Sequence, residues 1–155
     1  MKYLLLLILF CIVALVNCAV DTPVNTTGHA TEEVLVIRVI DGDTIEIEGG
    51  MRIRYIGIDA PETYPQTEYY GPEATAKNKE LVEGLTVRME RDISDKDRYG
   101  RLLRYVWVDD ILVNAELVRL GYAEAHAYPP DVKYQELLSQ REEEAIFAGL
   151  GIWKK

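Results

Sequence analysis

Two glycine-bearing turns do most to limit what this chain can fold into. Asp41-Gly42 and Gly49-Gly50 cut the stretch from Val34 to Ile58 into three apolar runs. Val34 to Ile40 is apolar apart from Arg38, Ile45-Glu46-Ile47-Glu48 alternates strictly, and Met51 to Ile58 carries Ile53, Tyr55, Ile56 and Ile58. Period-two alternation and β-branched side chains specify strands, and Asp-Gly is a strong hairpin signal. The prediction is an antiparallel meander of three strands.

The third run ends on residues that carry chemistry. It delivers Arg54 and continues through Asp59-Ala60-Pro61-Glu62-Thr63. Pro61 has no amide proton and holds Ala60 extended, so the strand should stop there and leave Asp59 and Glu62 at the rim. A guanidinium and two carboxylates this close suit phosphate chemistry: one group binds the anion, one a metal, and one moves a proton. The same residues also describe a surface strand that ends in a charged turn.

Downstream, Gly71-Pro72-Glu73 opens a helix with Ala74, Leu81 and Val82 on one face, ended by Gly84. Leu85 to Glu90 alternates as a fourth strand, Ile93 to Gly100 is a charged loop, and Leu102 to Val108 is a fifth strand. After the Asp109-Asp110 turn, Asn114 is placed to cap a short helix through Leu120. A last helix is predicted from about Val132 to Ala148. Its apolar face carries Tyr134, Leu137, Leu138, Arg141, Ala145 and Ala148, and Glu142-Glu143-Glu144 reads as its solvated side. Five strands with a helix between the third and fourth give an α+β, mainly β fold: a five-stranded OB-fold barrel with three helices.

Ahead of the barrel lies an addressing segment. Lys2 precedes an apolar run from Leu4 to Val16, and Asn17-Cys18 follows. Such a core is shorter than the roughly 20 residues that span a bilayer and reads as a secretory signal. Cys18, with Leu15 three residues before it, also resembles a bacterial lipoprotein attachment site, although Asn17 stands where a small residue is usual. The expected organisation is a leader over 1–18, a flexible tether over 19–32 and one domain over 33–155. The product is expected to be secreted, or held at the outer face of the membrane by its leader or by lipidated Cys18. The domain then has no cysteine to form an internal disulfide.

The formal net charge is −9, and removal of the leader takes Lys2 with it. An extracellular nucleic-acid binder is more often basic. Acidic character weakens long-range attraction to nucleic acid without preventing a local basic cluster from holding phosphate.

In order along the chain stand Val39-Ile40-Asp41-Gly42-Asp43-Thr44, Arg54 through Thr63, Tyr70-Gly71-Pro72-Glu73-Ala74, Asp97-Arg98-Tyr99-Gly100-Arg101, Val113-Asn114 with Leu117 to Gly121, and Gly151-Ile152-Trp153. Taken together these motifs resemble the staphylococcal nuclease (thermonuclease) family over essentially all of Val34 to Trp153. The resemblance implies an OB barrel and a calcium-dependent phosphodiesterase that acts on DNA and RNA, expected here as a monomer. It implies Asp43 and Asp59 as calcium carboxylates, the Ala60 carbonyl as a third ligand and Asp41 in the outer shell. Glu62 would be the base acting on water, Arg54 and Arg101 would hold the phosphate, and Tyr99 and Arg98 would line the nucleotide pocket. Tyr128 is the candidate base-stacking aromatic, and His126 beside it is a surface residue.

Three features depart from the family pattern: a shorter loop between Glu62 and Gly71, the unaligned aromatic after the second helix, and the acidic surface. Physical chemistry agrees with the ligand assignment. Calcium accepts hard oxygens in loose geometry, and weak extracellular sites fall at about 10⁻⁴–10⁻³ M. Two other readings stand beside the enzyme: a nuclease-like barrel that binds nucleic acid or protein without cutting, and a lipoprotein barrel that binds a surface sugar. Inactive barrels should lose the arginine or carboxylate set, and Arg54, Asp59, Glu62 and Arg101 are all present.

Overall fold

The computed structural model describes residues 31–154. The leader and Cys18 lie outside the described residues. The segment read as a tether lies outside them too, except for Thr31 and Glu32, which already belong to β1.

The predicted meander forms as β1 (Thr31–Val39), β2 (Thr44–Ile47) and β3 (Arg52–Tyr55), paired antiparallel in sequence order. The β1–β2 register shifts between Val36 and Arg38, a bulge that leaves both Ile37 and Arg38 facing outward. After helix α1 (Gly71–Val82), β5 (Thr86–Glu90) returns antiparallel to β1, and β6 (Leu102–Val108) returns antiparallel to β5. The fifth barrel strand then closes on the third: β6 runs parallel to β3, with Ile53 opposite Leu102 and Arg54 opposite Leu103. That closure leaves no open edge between them. The fold is the five-stranded OB barrel with three helices that the sequence predicts.

The third strand is shorter than predicted. It breaks at Ile56–Gly57, and Ile58–Asp59 forms a separate short strand, β4. β4 pairs with β8 (Glu124–Ala125) outside the barrel. Gly57 makes the break with φ of 80°, and a Cβ there would sit 2.4 Å from Leu138 Cδ1, so the turn packs directly on the last helix. The break swings Asp59 away from the barrel wall.

β7 (Ile111–Leu112) folds back on β6 and leads into α2 (Val113–Arg119). Leu112, not Asn114, stands at the start of α2, and Asn114 is fully buried. Its Oδ1 accepts from the Val106 amide at 3.0 Å and its Nδ2 donates to the Ile56 carbonyl at 2.8 Å. Asn114 therefore pins the fifth strand to the break in the third. The last helix, α3 (Gln135–Ala148), starts three residues later than predicted. It buries Leu138 and Ala145, while Ala148 is exposed. Glu142 is half-buried and accepts from the Ala125 amide at 2.8 Å, so this acid anchors β8 and is not merely solvated.

The barrel interior is filled by Val36, Ile45, Ile47, Ile53, Tyr55 and Met89, with Leu117 and Leu138 closing it from the helices. Burying each such side chain contributes roughly 1.5–3 kcal/mol before the entropy of ordering it. Among the described residues no helix is long and apolar enough to cross a membrane.

Candidate active site

The site assembles where the β1–β2 turn, the β3–β4 break and the loop before β6 meet. In the first of these, Gly42 packs so closely that a Cβ would lie 2.5 Å from the Ala60 Cβ. That contact seats the Asp41-Gly42-Asp43 turn against the residues after β4. Asp43 is buried, and its Oδ2 accepts from the Ala60 amide at 2.8 Å. Thr44 Oγ1 donates to Asp43 Oδ1 at 3.1 Å, and the Asp43 amide donates to Asp41 Oδ1 at 3.1 Å.

Arg54 joins the two candidate metal carboxylates. Its Nη1 lies 2.9 Å from Asp43 Oδ2 and its Nη2 lies 2.7 Å from Asp59 Oδ1. The same guanidinium donates to the carbonyls of Ile58 at 2.9 Å and Tyr55 at 3.1 Å, bracing the β3–β4 break. Burial pushes the Asp43 carboxyl up to about 7; Arg54 and the Ala60 amide resist the rise, and the nearby charges of Asp41 and Asp59 add to it.

The donors are hard oxygens, and negative charge crowds around a carboxyl that loses solvation. Both features fit a divalent cation such as calcium. Arg54 brings together only two carboxylates, Asp43 and Asp59, and no group of three or more acidic, histidine or cysteine side chains stands ready to hold a metal among the described residues. Water would have to complete any such coordination.

Arg54 also lines an open cavity of about 430 Å³, together with Asp97, Arg98, Tyr99, Arg101 and Tyr128. The structure thus brings together the arginines and aromatics named from the sequence as candidate site residues: Arg54, Arg98, Tyr99, Arg101 and Tyr128. Arg101 is positioned by Asp97: its Nε donates to Asp97 Oδ2 at 2.6 Å, and the amides of Tyr99 and Arg101 donate to Asp97 Oδ1 at 2.9 and 3.0 Å. The guanidinium carbons of Arg98 and Arg101 lie over the Tyr99 ring, 4.7 and 5.5 Å from its centre. Tyr99 is 68% exposed. Tyr128 stacks on exposed His126 with ring centres 4.3 Å apart.

Glu62 does not line the cavity. It stands exposed beyond Pro61, where its amide donates to Glu68 Oε2 at 2.9 Å and its carbonyl accepts from the Glu68 amide at 2.9 Å. Its carboxyl is held above the usual range by partial burial and by the charges of Asp41, Asp59 and Glu68, against the pull of Arg54.

Three supporting residues escape sequence reasoning. Asn78 Nδ2 donates to the Asp41 carbonyl at 3.0 Å, and its Oδ1 accepts from Tyr55 OH at 3.0 Å, tying α1 to the acidic turn. An amide on the apolar stripe between Ala74 and Val82 was the available signal. Asn114 gave a polar signal but pointed to a cap. Asp131 is buried and accepts from the amides of Ile93 at 3.0 Å and Ser94 at 2.7 Å, fixing the loop that leads to Tyr99. It sits in a polar stretch with no periodicity to mark it.

A family model described as staphylococcal nuclease homologue matches residues 52–155. The chain is 42% identical to the thermonuclease of Staphylococcus intermedius over 137 residues, covering 84% of this chain and 82% of that protein. It is 41% identical to the thermonuclease of Staphylococcus hyicus over 140 residues, with 84% and 83% covered. Similarity extends to Endonuclease YncB of Bacillus subtilis (strain 168), 39% identical over 142 residues, with 86% of this chain and 67% of that protein covered.

Proposed function

The chain belongs to the staphylococcal nuclease family, and from that premise we propose that it is an exported, calcium-dependent nuclease that hydrolyses the phosphodiester bonds of DNA and RNA with little sequence preference. The observation that carries this reading is the double placement of Arg54. It pairs with Asp43 and Asp59 on one side and lines the cavity of Arg101, Tyr99 and Tyr128 on the other. One guanidinium therefore links a carboxylate cluster suited to a cation with a pocket suited to a nucleotide.

Asp43, Asp59 and the Ala60 carbonyl would hold the calcium, with Asp41 behind them. When bound, the ion supplies Lewis-acid stabilisation of charge on the phosphoryl oxygens. The remaining work falls to the chain itself. Arg54 grips the phosphate from β3 and Arg101 from the residue just before β6, and arginine can offer two parallel donors to two oxygens where lysine offers a point charge. Charge that develops on those oxygens is met by donors already in place, so little reorganisation is needed.

Glu62 takes the proton from the attacking water. The rise in its carboxyl's proton affinity brings it closer to the operating pH, where a general base is most effective. Tyr99, Tyr128 and Arg98 hold the nucleotide through ring faces and charge. Every base has a π face, so these contacts do not read sequence.

Calcium is favoured over magnesium because two carboxylates and a carbonyl cannot impose the tight octahedral shell that magnesium demands. The leader before the domain assigns the enzyme to the outside of the cell, free or attached through the leader or through lipidated Cys18.

The test is digestion of DNA and RNA by the purified protein with calcium, with magnesium and with excess chelator, read on a gel. Cutting of both polymers in calcium, little in magnesium and none in chelator is the expected pattern. Full activity in chelator would overturn the metal assignment. Tight, calcium-dependent nucleotide binding without cutting would instead make the protein a binding barrel.

A further inference from the structure

Tyr99 and Arg101 form a wall with two sides. One side faces the cavity shared with Arg54; the other faces a separate cavity of about 270 Å³ lined by Met51, Arg52, Lys96 and Gly100. No acidic side chain lines this second cavity.

We propose that Arg52 and Lys96 form a second phosphate subsite, which holds the next phosphate of a single-stranded polynucleotide whose scissile group lies at Arg54 and Arg101. The proposal rests on the nuclease reading above and adds to it two binding residues.

Backbone register brings the cations together. β3 and β6 run parallel with Ile53 opposite Leu102, so Arg52 and Arg101, each one residue earlier, stand side by side where the two strands begin. Lys96 bridges to Leu102 from the preceding loop and reaches the same end of the barrel. Three positive side chains from three segments thus converge on one cavity.

Spacing fits a polynucleotide. Arg52 and Arg54 are two residues apart on β3 and share its outward face, while Ile53 points into the core. Strand rise separates such positions by roughly 7 Å, comparable to successive phosphates of an extended single strand. Arg54 opens on one cavity and Arg52 on the next, so adjacent phosphates would meet adjacent guanidinium groups with Tyr99 between them.

The charge is available. Among the described residues neither Arg52 nor Lys96 has an ion-pair partner, whereas Arg38, Arg54, Arg101 and Arg104 are each engaged with a carboxylate. On a chain of net charge −9 a cavity lined by three basic side chains, two of them without an ion-pair partner, is a local exception, and a planar guanidinium beside an ammonium suits a phosphate. Met51, 47% exposed, adds an apolar surface against which a sugar or base can rest.

The test compares the unchanged protein with R52Q/K96Q on two substrates in calcium: a dinucleoside monophosphate, which has a single phosphodiester, and a single-stranded dodecamer. The double variant should raise KM for the dodecamer on the order of tenfold with kcat unchanged, and lower the salt dependence of KM by about one counterion per cation removed. Its kinetics on the dinucleoside monophosphate should match those of the unchanged protein. Equal losses on both substrates would mean that the two residues support the fold or the chemistry, and no loss on either would mean that the cavity takes no phosphate; each result overturns the subsite and leaves the nuclease intact. An unchanged protein that cuts neither substrate overturns the nuclease reading and the subsite with it.

Discussion

Arg54 and Asp43 form a nearly buried ion pair, 2.9 Å apart, inside the site proposed above to take up a cation and a phosphate. Arg54 is one positive charge against Asp43 and Asp59, with Asp41 close behind. It cannot balance all three acids, and this shortfall is what a divalent ion would make good. Arg54 also holds the β3–β4 break by donating to the carbonyls of Tyr55 and Ile58, so the electrostatics and the shape of the site depend on one side chain.

Removing that side chain should be costly. Arg54→Met keeps much of the apolar stem but leaves the Asp43 carboxyl buried without its partner. Breaking a buried pair from one side typically costs about 3–5 kcal/mol. Urea unfolding in chelator should show a loss of that size, and millimolar calcium should recover part of it by binding only the folded state. Equal stability of both proteins in chelator would show that the pair contributes nothing.

Glu62 gives a cleaner test because it lies outside the packed core. Glu62→Gln keeps shape and removes the basic oxygens. General-base assistance is worth about 10²–10⁴ in rate, so kcat should fall by at least that range. Titration with a nonhydrolysable nucleotide in calcium should give unchanged affinity, since Asp43, Asp59, Arg54 and Arg101 are untouched. A variant that cuts as fast as the unchanged protein assigns the base elsewhere.

The barrel could be read from the sequence because its signals are local: alternation in β2 and β5, the Asp41-Gly42 turn, and the Pro72 start of α1. The candidate residues Arg54, Arg101, Asp43, Asp59 and Glu62 stand out for a similar reason, since they sit in short, ordered motifs near strand ends. What stayed hidden depends on long-range partners. The run from Met51 to Ile58 looks continuous, and only the contact of Gly57 with Leu138 on α3 explains why it breaks. Asn114 looks like a cap until Val106 and Ile56 are seen to need its two polar atoms. Glu142 looks like one of three solvated acids until β8 is placed beside it.

Asn114→Ala follows from that last kind of contact. It would leave the Val106 amide and the Ile56 carbonyl without partners in the interior. Each orphaned buried group costs about 1–3 kcal/mol, so a total of roughly 2–6 kcal/mol is expected. The urea midpoint should drop with the slope unchanged, because the same surface is exposed on unfolding. A loss under about 0.5 kcal/mol, the range of ordinary surface substitutions, would mean that the amide is not the link between these strands.

Export makes a separate claim about the N-terminus. Mass spectrometry of the mature protein should find a chain that begins at or near Cys18, either free or carrying lipid on the cysteine. An intact leader in a soluble cytoplasmic fraction would contradict the proposed address.

Asp97 ties the nucleotide pocket to pH. Burial pushes its carboxyl up, but the Arg101 side chain and the amides of Arg101 and Tyr99 outweigh that and hold it below the usual range. A carboxyl with a depressed folded pKa contributes stability above its unfolded value, about 3.9 for aspartate, and loses it as pH falls through the folded value. Acidification from about pH 6 towards pH 2 should therefore release the loop from Asp97 to Arg101. The readout is hydrogen exchange at the Tyr99 and Arg101 amides, corrected for the intrinsic effect of pH, because both donate to Asp97. Protection should fall over the acid range in the unchanged protein. In Asp97→Asn it should already be lower at neutral pH, because a neutral amide oxygen accepts more weakly than a carboxylate, and change little on acidification, since there is no charge to lose. The same variant should bind nucleotide several-fold more weakly at neutral pH, because the Arg101 guanidinium loses the carboxylate that aims it. If exchange at these two amides is insensitive both to acid and to Asp97→Asn, Asp97 does not hold the pocket, and Arg101 must be positioned by its attachment to β6 alone.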